Sequence, residues 1–182
     1  MKQTVRIIGG QYRGKKLSFP NIEGLRPTPD RVRETLFNWL MHDIGGAHCL
    51  DAFAGSGALG FEAYSRGARS VVLVEASSKV YVNLKKIAHS FNSPNLLIIH
   101  GNAEDYMQKS SESFDIVFLD PPFAKSYLLP KCLDILSHSN LLVSGGLVYL
   151  ESPDKLSVDP ERWEEKKSKQ AGQVIYGLYK KN

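Results

Sequence analysis

Cysteine is rare in this sequence. Only Cys49 and Cys132 occur in 182 residues, and neither has a CxxC partner or a histidine at metal-ligand spacing. This usage excludes a disulfide framework and argues against a structural zinc site, so we predict two buried, free thiols. The five histidines are scattered, and no metal is expected.

Long apolar runs are absent as well. No stretch approaches the roughly 18 apolar residues that a membrane helix requires, and the opening MKQTVRIIGG lacks the apolar core of a signal peptide. We therefore expect a cytoplasmic protein with no membrane partner. Repeats and low-complexity tracts are also missing, and 42% hydrophobic with 23% charged residues is typical of one globular core.

Acidic residues are scarce in the first 33 positions. This segment holds eight lysines and arginines against Glu23 and Asp30, a net charge of +6, whereas the whole chain carries +4. Such a run is often only a solvated face, but its glycines and Tyr12 favour an arm that binds nucleic-acid phosphates. The predicted RNA contacts are Arg6, Arg13, Lys15, Lys16, Arg26 and Arg31.

From His48 onward, short apolar runs alternate with helical patterns, as in SVVLVE followed by SKVYVNLKKIAHSF. This alternation predicts βαβ units and an α/β fold, a doubly wound, mostly parallel, Rossmann-like sheet of seven strands. After Glu151, ERWEEKKSK and QVIYGLYKK predict a C-terminal antiparallel hairpin.

The N-terminal segment has a different pattern. TVRIIGG and KKLSFP predict a small basic hairpin, followed by a helix from Asp30, the expected N-cap, to about Met41. We predict a basic hairpin-and-helix unit over residues 1–42 and a cofactor-binding domain over residues 43–182.

The first strand-to-helix turn reads LDAFAGSGALGFEA, and its Gly55, Gly57 and Gly60 fit GxGxxG. Glycines let a ligand approach the backbone, and Glu75, at the end of the next strand, could accept both hydroxyls of a ribose. Asp51, at the strand end, would repel a pyrophosphate and attract the ammonium of a methionine moiety. The pattern favours S-adenosylmethionine (SAM) over NAD, while a turn without a ligand remains the plain alternative.

Two further positions are ambiguous. Asn102, after the third strand, could read an adenine edge or merely cap a helix. Thr28, in Arg26-Pro27-Thr28, could face the methionine end of the cofactor or belong to a proline turn. The full set of predicted cofactor contacts is Asp51, Gly55, Gly57, Glu75, Ala76, Asn102, Ala103 and Thr28.

The run FDIVFLDPPF ends in an acid, two prolines and an aromatic residue. Two prolines could simply end a strand. At the carboxyl end of a parallel strand, however, the Asp120 carboxylate and the Pro121 carbonyl could accept both N–H groups of a nucleobase amine and stabilise its developing charge. Phe123 could stack on the base. We predict Asp120, Pro121 and Phe123 as the catalytic set.

With these motifs, the chain resembles class I SAM-dependent methyltransferases of the amino-methylating kind marked by (N/D)PP(Y/F). More closely, it resembles the bacterial RsmD-like family of 16S ribosomal RNA guanine-N2 methyltransferases. The resemblance covers RIIGGQYRGKKL, RPTPDRVRETLFNWL, LDAFAGSGALGFEA, VVLVEAS and FLDPPF. The second of these is the most specific, since DPPF also occurs in DNA adenine methyltransferases.

The resemblance implies methylation of the guanine conventionally numbered 966 of 16S rRNA in the small ribosomal subunit, with SAM as cofactor. Two alternatives stay open, a DNA adenine-N6 methyltransferase and a non-enzymatic RNA-binding protein. The first usually needs a target-recognition domain, for which no stretch here is long enough. Intact Gly55, Gly57, Glu75 and Asp120 argue against the second, and Asp51 argues against a dehydrogenase as a third.

Overall fold

The computed structural model describes residues 2–182, in which strands and helices alternate over most of the chain. In chain order the elements are β1 (Lys2–Arg6), β2 (Lys16–Pro20), α1 (Asp30–Trp39), β3 (His48–Asp51), α2 (Ala58–Ser65), β4 (Ser70–Glu75), α3 (Ser78–Ser90), β5 (Leu96–His100), α4 (Ala103–Lys109), β6 (Phe114–Leu119), α5 (Leu128–His138), β7 (Leu142–Ser152), β8 (Trp163–Ala171) and β9 (Val174–Lys181).

The main sheet has seven strands in the order β5-β4-β3-β6-β7-β9-β8. The five strands from β5 to β7 are parallel, whereas β9 runs antiparallel to both β7 and β8. The predicted doubly wound fold and its C-terminal hairpin are therefore confirmed. Successive residues of β4 enter opposite apolar layers, Val71 and Leu73 on one face and Val72 and Val74 on the other. Burial on both faces explains its unbroken apolar run.

The N-terminal hairpin is a separate antiparallel pair, β1 with β2, as predicted. Its inward side chains, Val5, Leu17 and Phe19, belong to the same buried cluster as Leu36 and Phe37 of α1 and one face of the main sheet. The segment assigned to RNA binding thus shares a hydrophobic core with the rest of the chain.

Helix α1 begins one residue earlier than predicted. Pro29 occupies the N-cap position with extended backbone, and Asp30 is the first helical residue instead of the cap. The helix also ends at Trp39, before Met41. Asp30 makes no capping bond because its carboxylate pairs with Arg33 on the next turn.

A buried ion pair joins the hairpin, α1 and α2. Both Arg33 and Glu62 are fully buried, and the guanidinium Nη1 lies 2.9 Å from Oε1 of Glu62. The Glu62 carboxylate also accepts the backbone N–H groups of Ile8 and Gly9 and pairs with Arg66. Arg33 is one of the eight basic residues of the N-terminal segment, but it is buried in this ion pair and is not part of the basic surface.

Both cysteines are free and buried, as predicted, and burial raises the pKa of the Cys132 thiol to about 12. Within residues 2–182, no group of three or more His, Cys, Asp or Glu side chains is placed to hold a metal ion. No helix of this described part is long and apolar enough to cross a membrane.

Replacing Arg33 by methionine should lower the free energy of unfolding by about 3 kcal/mol, because Glu62 would keep its buried charge and lose a cation. The effect lies at the low end for a broken buried pair, since Arg66 still contacts the carboxylate. Urea denaturation measures it. Arg31→Met, an exposed change on the same helix, is the control and should shift stability by less than about 0.5 kcal/mol. Equal stabilities for the two variants would contradict the role of the pair.

Candidate active site

The site lies where the winding of the sheet reverses direction, between β3 and β6. These strands pair in parallel with Asp51 opposite Phe118, so Asp51 and Asp120 both lie at their carboxyl ends. At such a switch point the helices that follow the two strands turn to opposite faces, which leaves a crevice for a ligand. The two predicted motifs therefore meet in space.

The glycine turn after β3 is built from left-handed backbone. Gly55 has φ of +54° and Gly57 has φ of +83°, a region that favours glycine. A Cβ at Gly57 would lie 2.4 Å from the Phe61 ring. Gly60 serves packing, since a Cβ there would approach Leu73, on β4, to 2.7 Å. Gly55 and Gly57 thus suit the backbone of the turn, and Gly60 suits the packing of α2 on the sheet.

Asp51 is buried, with 1% of its surface exposed. Its Oδ2 accepts a hydrogen bond of 2.9 Å from the Gly60 N–H in the first turn of α2. Burial raises the pKa of Asp51 to about 7; the Gly60 N–H opposes this shift, and the carboxylates of Glu75 and Glu151 add to it. Asp51 thus stands in a negative, poorly hydrated environment.

Glu75 closes β4 and contacts the glycine turn directly. Its Oε2 accepts the Gly55 N–H at 2.9 Å, and its Oε1 accepts the Ser77 N–H at 3.1 Å. Two backbone donors therefore fix the carboxylate at the crevice. The adjacent Ala76 is exposed, and its carbonyl lies 3.1 Å from a ring nitrogen of His100.

Asn102 is the N-cap residue of α4, but its side chain makes no capping hydrogen bond. Its amide instead lies 3.5 Å from the Asp105 carboxylate and is exposed, while Ala103 beside it is buried. Asn102 therefore occupies the cap position without capping the helix through its side chain. Its contact with an adenine stays a prediction.

Asp120 follows β6 directly and precedes a largely exposed loop over residues 121–127. Pro121 is buried, whereas Phe123 has 45% of its surface exposed. Burial of the Asp120 carboxyl raises its pKa well above the usual value, and the carboxylates of Glu151 and Asp51 raise it further. The acid and the aromatic residue of DPPF thus differ in environment, since Asp120 is half-buried whereas Phe123 is exposed.

Glu151 of β7 is a site residue that the sequence did not reveal. It is buried, and its Oε1 accepts hydrogen bonds from the hydroxyls of Thr28 at 3.1 Å and Tyr149 at 2.6 Å. Burial and the Glu151 carboxylate both raise the pKa of Tyr149, which keeps that hydroxyl protonated as a donor. In the sequence, Glu151 shows only as an acid at the end of the fifth parallel strand.

A cleft of about 160 Å³ opens beside Asp120. One wall is formed by the DPPF loop and α5, and the other by residues 151–156, which include the end of β7 and the segment after it. Its lining includes Pro121, Phe123, Leu129, Glu151 and Leu156. The cleft therefore combines apolar walls with charged side chains of both signs, Glu151 and Asp154 against Lys125 and Lys155.

The predicted RNA-binding residues lie on the outside of the N-terminal unit. Five are exposed, namely Arg6, Arg13, Lys16, Arg26 and Arg31. Lys15 is half-buried, with its ammonium 4.8 Å from the centre of the Phe91 ring. The described structure leaves these cations available to a polyanion.

The model of a family described as "Conserved hypothetical protein 95" matches residues 5–180. The chain is 44% identical to ribosomal RNA small subunit methyltransferase D of Escherichia coli K12, covering 97% of this chain and 90% of that protein. The protein of the same name from Haemophilus influenzae is 45% identical, with 98% and 94% coverage.

The chain belongs to the RsmD-like methyltransferase family. The solved structure of Escherichia coli yhhF, at 44% identity, superposes with a TM-score of 0.90 over 99% of both chains. Resemblance to the family, seen first in RPTPDRVRETLFNWL and the two site motifs, is thereby confirmed.

Asp51 should make the stability of the ligand-free protein depend on pH. Its pKa rises from 3.8 to about 7 in the fold, so the folded state holds a proton that the unfolded chain releases. The stabilisation that Asp51 contributes is therefore fully present below pH 4. It is lost as the pH rises from about 4 through 7. Asp51→Asn should remove that loss, and the variant should gain about 1 to 3 kcal/mol over wild type between pH 4.5 and 7.5.

Urea denaturation at both pH values measures the difference. Asp43→Asn, at an exposed position, is the matched control and should follow wild type at both. If the free energies of unfolding of Asp51→Asn and wild type differ by the same amount at both pH values, Asp51 is ionised in the folded protein across this range.

Proposed function

We propose that the chain transfers a methyl group from SAM to the exocyclic N2 amine of a guanine in 16S rRNA, the one conventionally numbered 966. The observation that carries the proposal is the pairing of β3 with β6, which brings the glycine turn beside Asp120 and Pro121. The curated relatives named for small-subunit rRNA support the substrate class. We take the assembled or partly assembled small subunit as the physiological partner.

The residues around the crevice fit SAM, which supplies a methyl group on a positively charged sulfur. Glu75 is fixed beside Gly55, and its oxygens retain lone pairs for the vicinal hydroxyls of a ribose. Burial and then the carboxylates of Glu75 and Glu151 raise the pKa of Asp51, and a cationic ligand would relieve the repulsion among these acids. Ala76, Asn102 and Ala103 stand at the ends of β4 and β5, in reach of the same crevice.

Thr28 has a different role in this scheme. Its hydroxyl donates a hydrogen bond of 3.1 Å to Glu151, and the residue is buried. We assign it to holding that carboxylate; a contact with the methionine end of the cofactor stays a prediction.

Asp120 and Pro121 act on the amine. Their carboxylate and carbonyl oxygens can accept its two N–H groups and direct its lone pair toward the methyl carbon. As nitrogen gains the methyl group it becomes positive and must lose a proton. Asp120, whose pKa is raised by burial and neighbouring acids, offsets that charge and is suited to take the proton.

Phe123 provides the stacking surface for the base. Its exposure of 45% at the edge of the cleft is high for a large apolar side chain, and a flipped base would cover it. Pro121 and Pro122 restrict the loop and lack the N–H donors that would oppose the amine. The cleft thus suits a planar, partly apolar ligand.

The basic surface of the N-terminal unit would hold the RNA backbone. Arg6, Arg13 and Lys16 project from the hairpin, and Arg26 and Arg31 flank the loop that carries Thr28. Contacts from such a surface to RNA phosphates fix the orientation of the RNA and contribute to affinity, but they do not depend on the RNA sequence. Because the hairpin shares the main core, RNA bound there has a fixed position relative to the cleft.

Methyl transfer from labelled SAM tests the proposal directly. Small subunits that lack the modification, free 16S rRNA and adenine-containing DNA are offered in parallel, and the products are digested to nucleosides. We expect N2-methylguanosine, formed at one position and fastest on small subunits. N6-methyladenine from the DNA would establish the rival DNA methyltransferase, and no transfer to any substrate would favour an RNA-binding protein without activity.

Asp120 variants separate charge from geometry. Asp120→Ala should lower the single-turnover rate on small subunits by about 10²-fold or more, the scale of losing one preorganised electrostatic partner. Asp120→Asn keeps an acceptor oxygen and should retain intermediate activity. SAM affinity, measured by calorimetry, should change much less in both. A wild-type rate for Asp120→Ala would reduce DPPF to a strand-ending turn.

A further inference from the structure

The two carboxylate oxygens of Glu151 differ in their hydrogen bonds. Its Oε1 accepts the hydroxyls of Thr28 and Tyr149, whereas Oε2 accepts no hydrogen bond from the described residues. Every fully buried side-chain nitrogen or oxygen in that part of the chain has a partner, so Oε2 is not sealed inside the protein. Glu151 lines the cleft beside the DPPF loop, and the Asp120 carboxyl lies within hydrogen-bonding range of its carboxylate.

The free oxygen is held rigidly. Tyr149 and Glu151 lie two residues apart on β7, so both side chains are on the same face of the strand. The hydroxyl of Thr28, from the loop before α1, fixes the same oxygen from the other side. A carboxylate restrained in this way presents Oε2 in one direction, as a recognition group requires.

Glu151 also stands next to Asp120. The two acids are close enough that Glu151 raises the pKa of Asp120, second only to burial. Asp120 does not line the cleft itself, but it directly precedes Pro121, which does. Two carboxylates this close repel each other unless hydrogen-bond donors lie beside both of them. The end of the cleft next to Asp120 therefore suits a ligand that offers two adjacent N–H donors.

Nucleobases differ in this respect. In guanine, the ring N1–H is directly beside the N2 amine, so the edge presents adjoining donors. In adenine and cytosine, the ring nitrogen beside the exocyclic amine carries a lone pair. A carboxylate facing that position gains a charge-assisted hydrogen bond from guanine and meets a repelling lone pair in the other two.

We propose that Oε2 of Glu151 accepts a hydrogen bond from N1–H of the target base while Asp120 and Pro121 hold the N2 amine, so that Glu151 selects guanine over adenine. This inference rests on the proposed function, because it assigns a partner to the same base. Glu151 exchanges no proton in it, and N1 keeps its hydrogen.

A base analogue tests the assignment. Small subunits are reconstituted from 16S rRNA carrying either guanine or 2-aminopurine at the target position; 2-aminopurine keeps the amine at C2 but has a lone pair at N1. Wild-type enzyme should prefer guanine by about 10-fold to 10²-fold in kcat/KM, the effect of losing one charge-assisted hydrogen bond.

Glu151→Gln should change the preference rather than activity in general. The amide can turn its NH₂ toward the N1 lone pair, so activity on guanine should fall about 10-fold while activity on 2-aminopurine holds or rises. Tyr149→Phe, which frees the carboxylate without removing it, should weaken the preference less. Glu165→Gln is the matched control, because Glu165 also accepts a tyrosine hydroxyl, that of Tyr179, but stands on β8 outside the cleft.

The outcomes separate the two claims. If Glu151→Gln loses activity equally on both bases, or if wild type does not distinguish them, the selection role is wrong while guanine methylation stands. If wild type transfers no methyl group even to guanine subunits, the proposed function itself fails. Unchanged preference in Tyr149→Phe together with a collapsed preference in Glu151→Gln would still support the direct contact.

Discussion

The parallel pairing of β3 with β6 is the contact on which the site depends. Each strand ends in a carboxylate, and the register that sets Asp51 opposite Phe118 brings Asp51 and Asp120 to one edge of the sheet. Neighbouring parallel strands all end at the same edge, so the residues that follow them share a crevice. Without this pairing, the glycine turn and DPPF would be unrelated loops.

The N-terminal unit completes the site from outside the sheet. Arg33 bonds to the carbonyl oxygens of Arg6 and Thr28 and to the Glu62 carboxylate, so one buried guanidinium links the hairpin, the following loop and α2. Arginine suits this position because its planar group offers five donors at once. The same network fixes Thr28 against Glu151 and connects the basic N-terminal surface to the cleft wall.

The crevice is strongly acidic for its degree of burial. Asp51 and Asp120 both have raised pKa values, with burial as the main cause and neighbouring carboxylates adding to it. Grouped acids of this kind destabilise a folded chain unless positive or hydrogen-donating ligands arrive. A sulfonium cofactor and a base amine would supply both, so the electrostatic cost in the free protein favours binding of the proposed ligands.

The sequence by itself determined the α/β class, the two hairpins and the residues of the two motifs. Those features are encoded locally, in continuous apolar runs and in glycine and proline at fixed positions, because backbone conformation depends on near neighbours. Local patterns were insufficient at two positions. Asp30 was predicted to be the N-cap of α1 but is its first helical residue and pairs with Arg33. Arg33 belongs to a basic segment but is buried.

Only the tertiary structure decided which distant groups share an environment. Glu62 is an ordinary acid in a helix until folding encloses it with Arg33. Glu151 is one more strand-end residue until Thr28, far away along the chain, and Tyr149 fix it beside Asp120. Burial and charge coupling are properties of contacts between elements, so no local pattern encodes them.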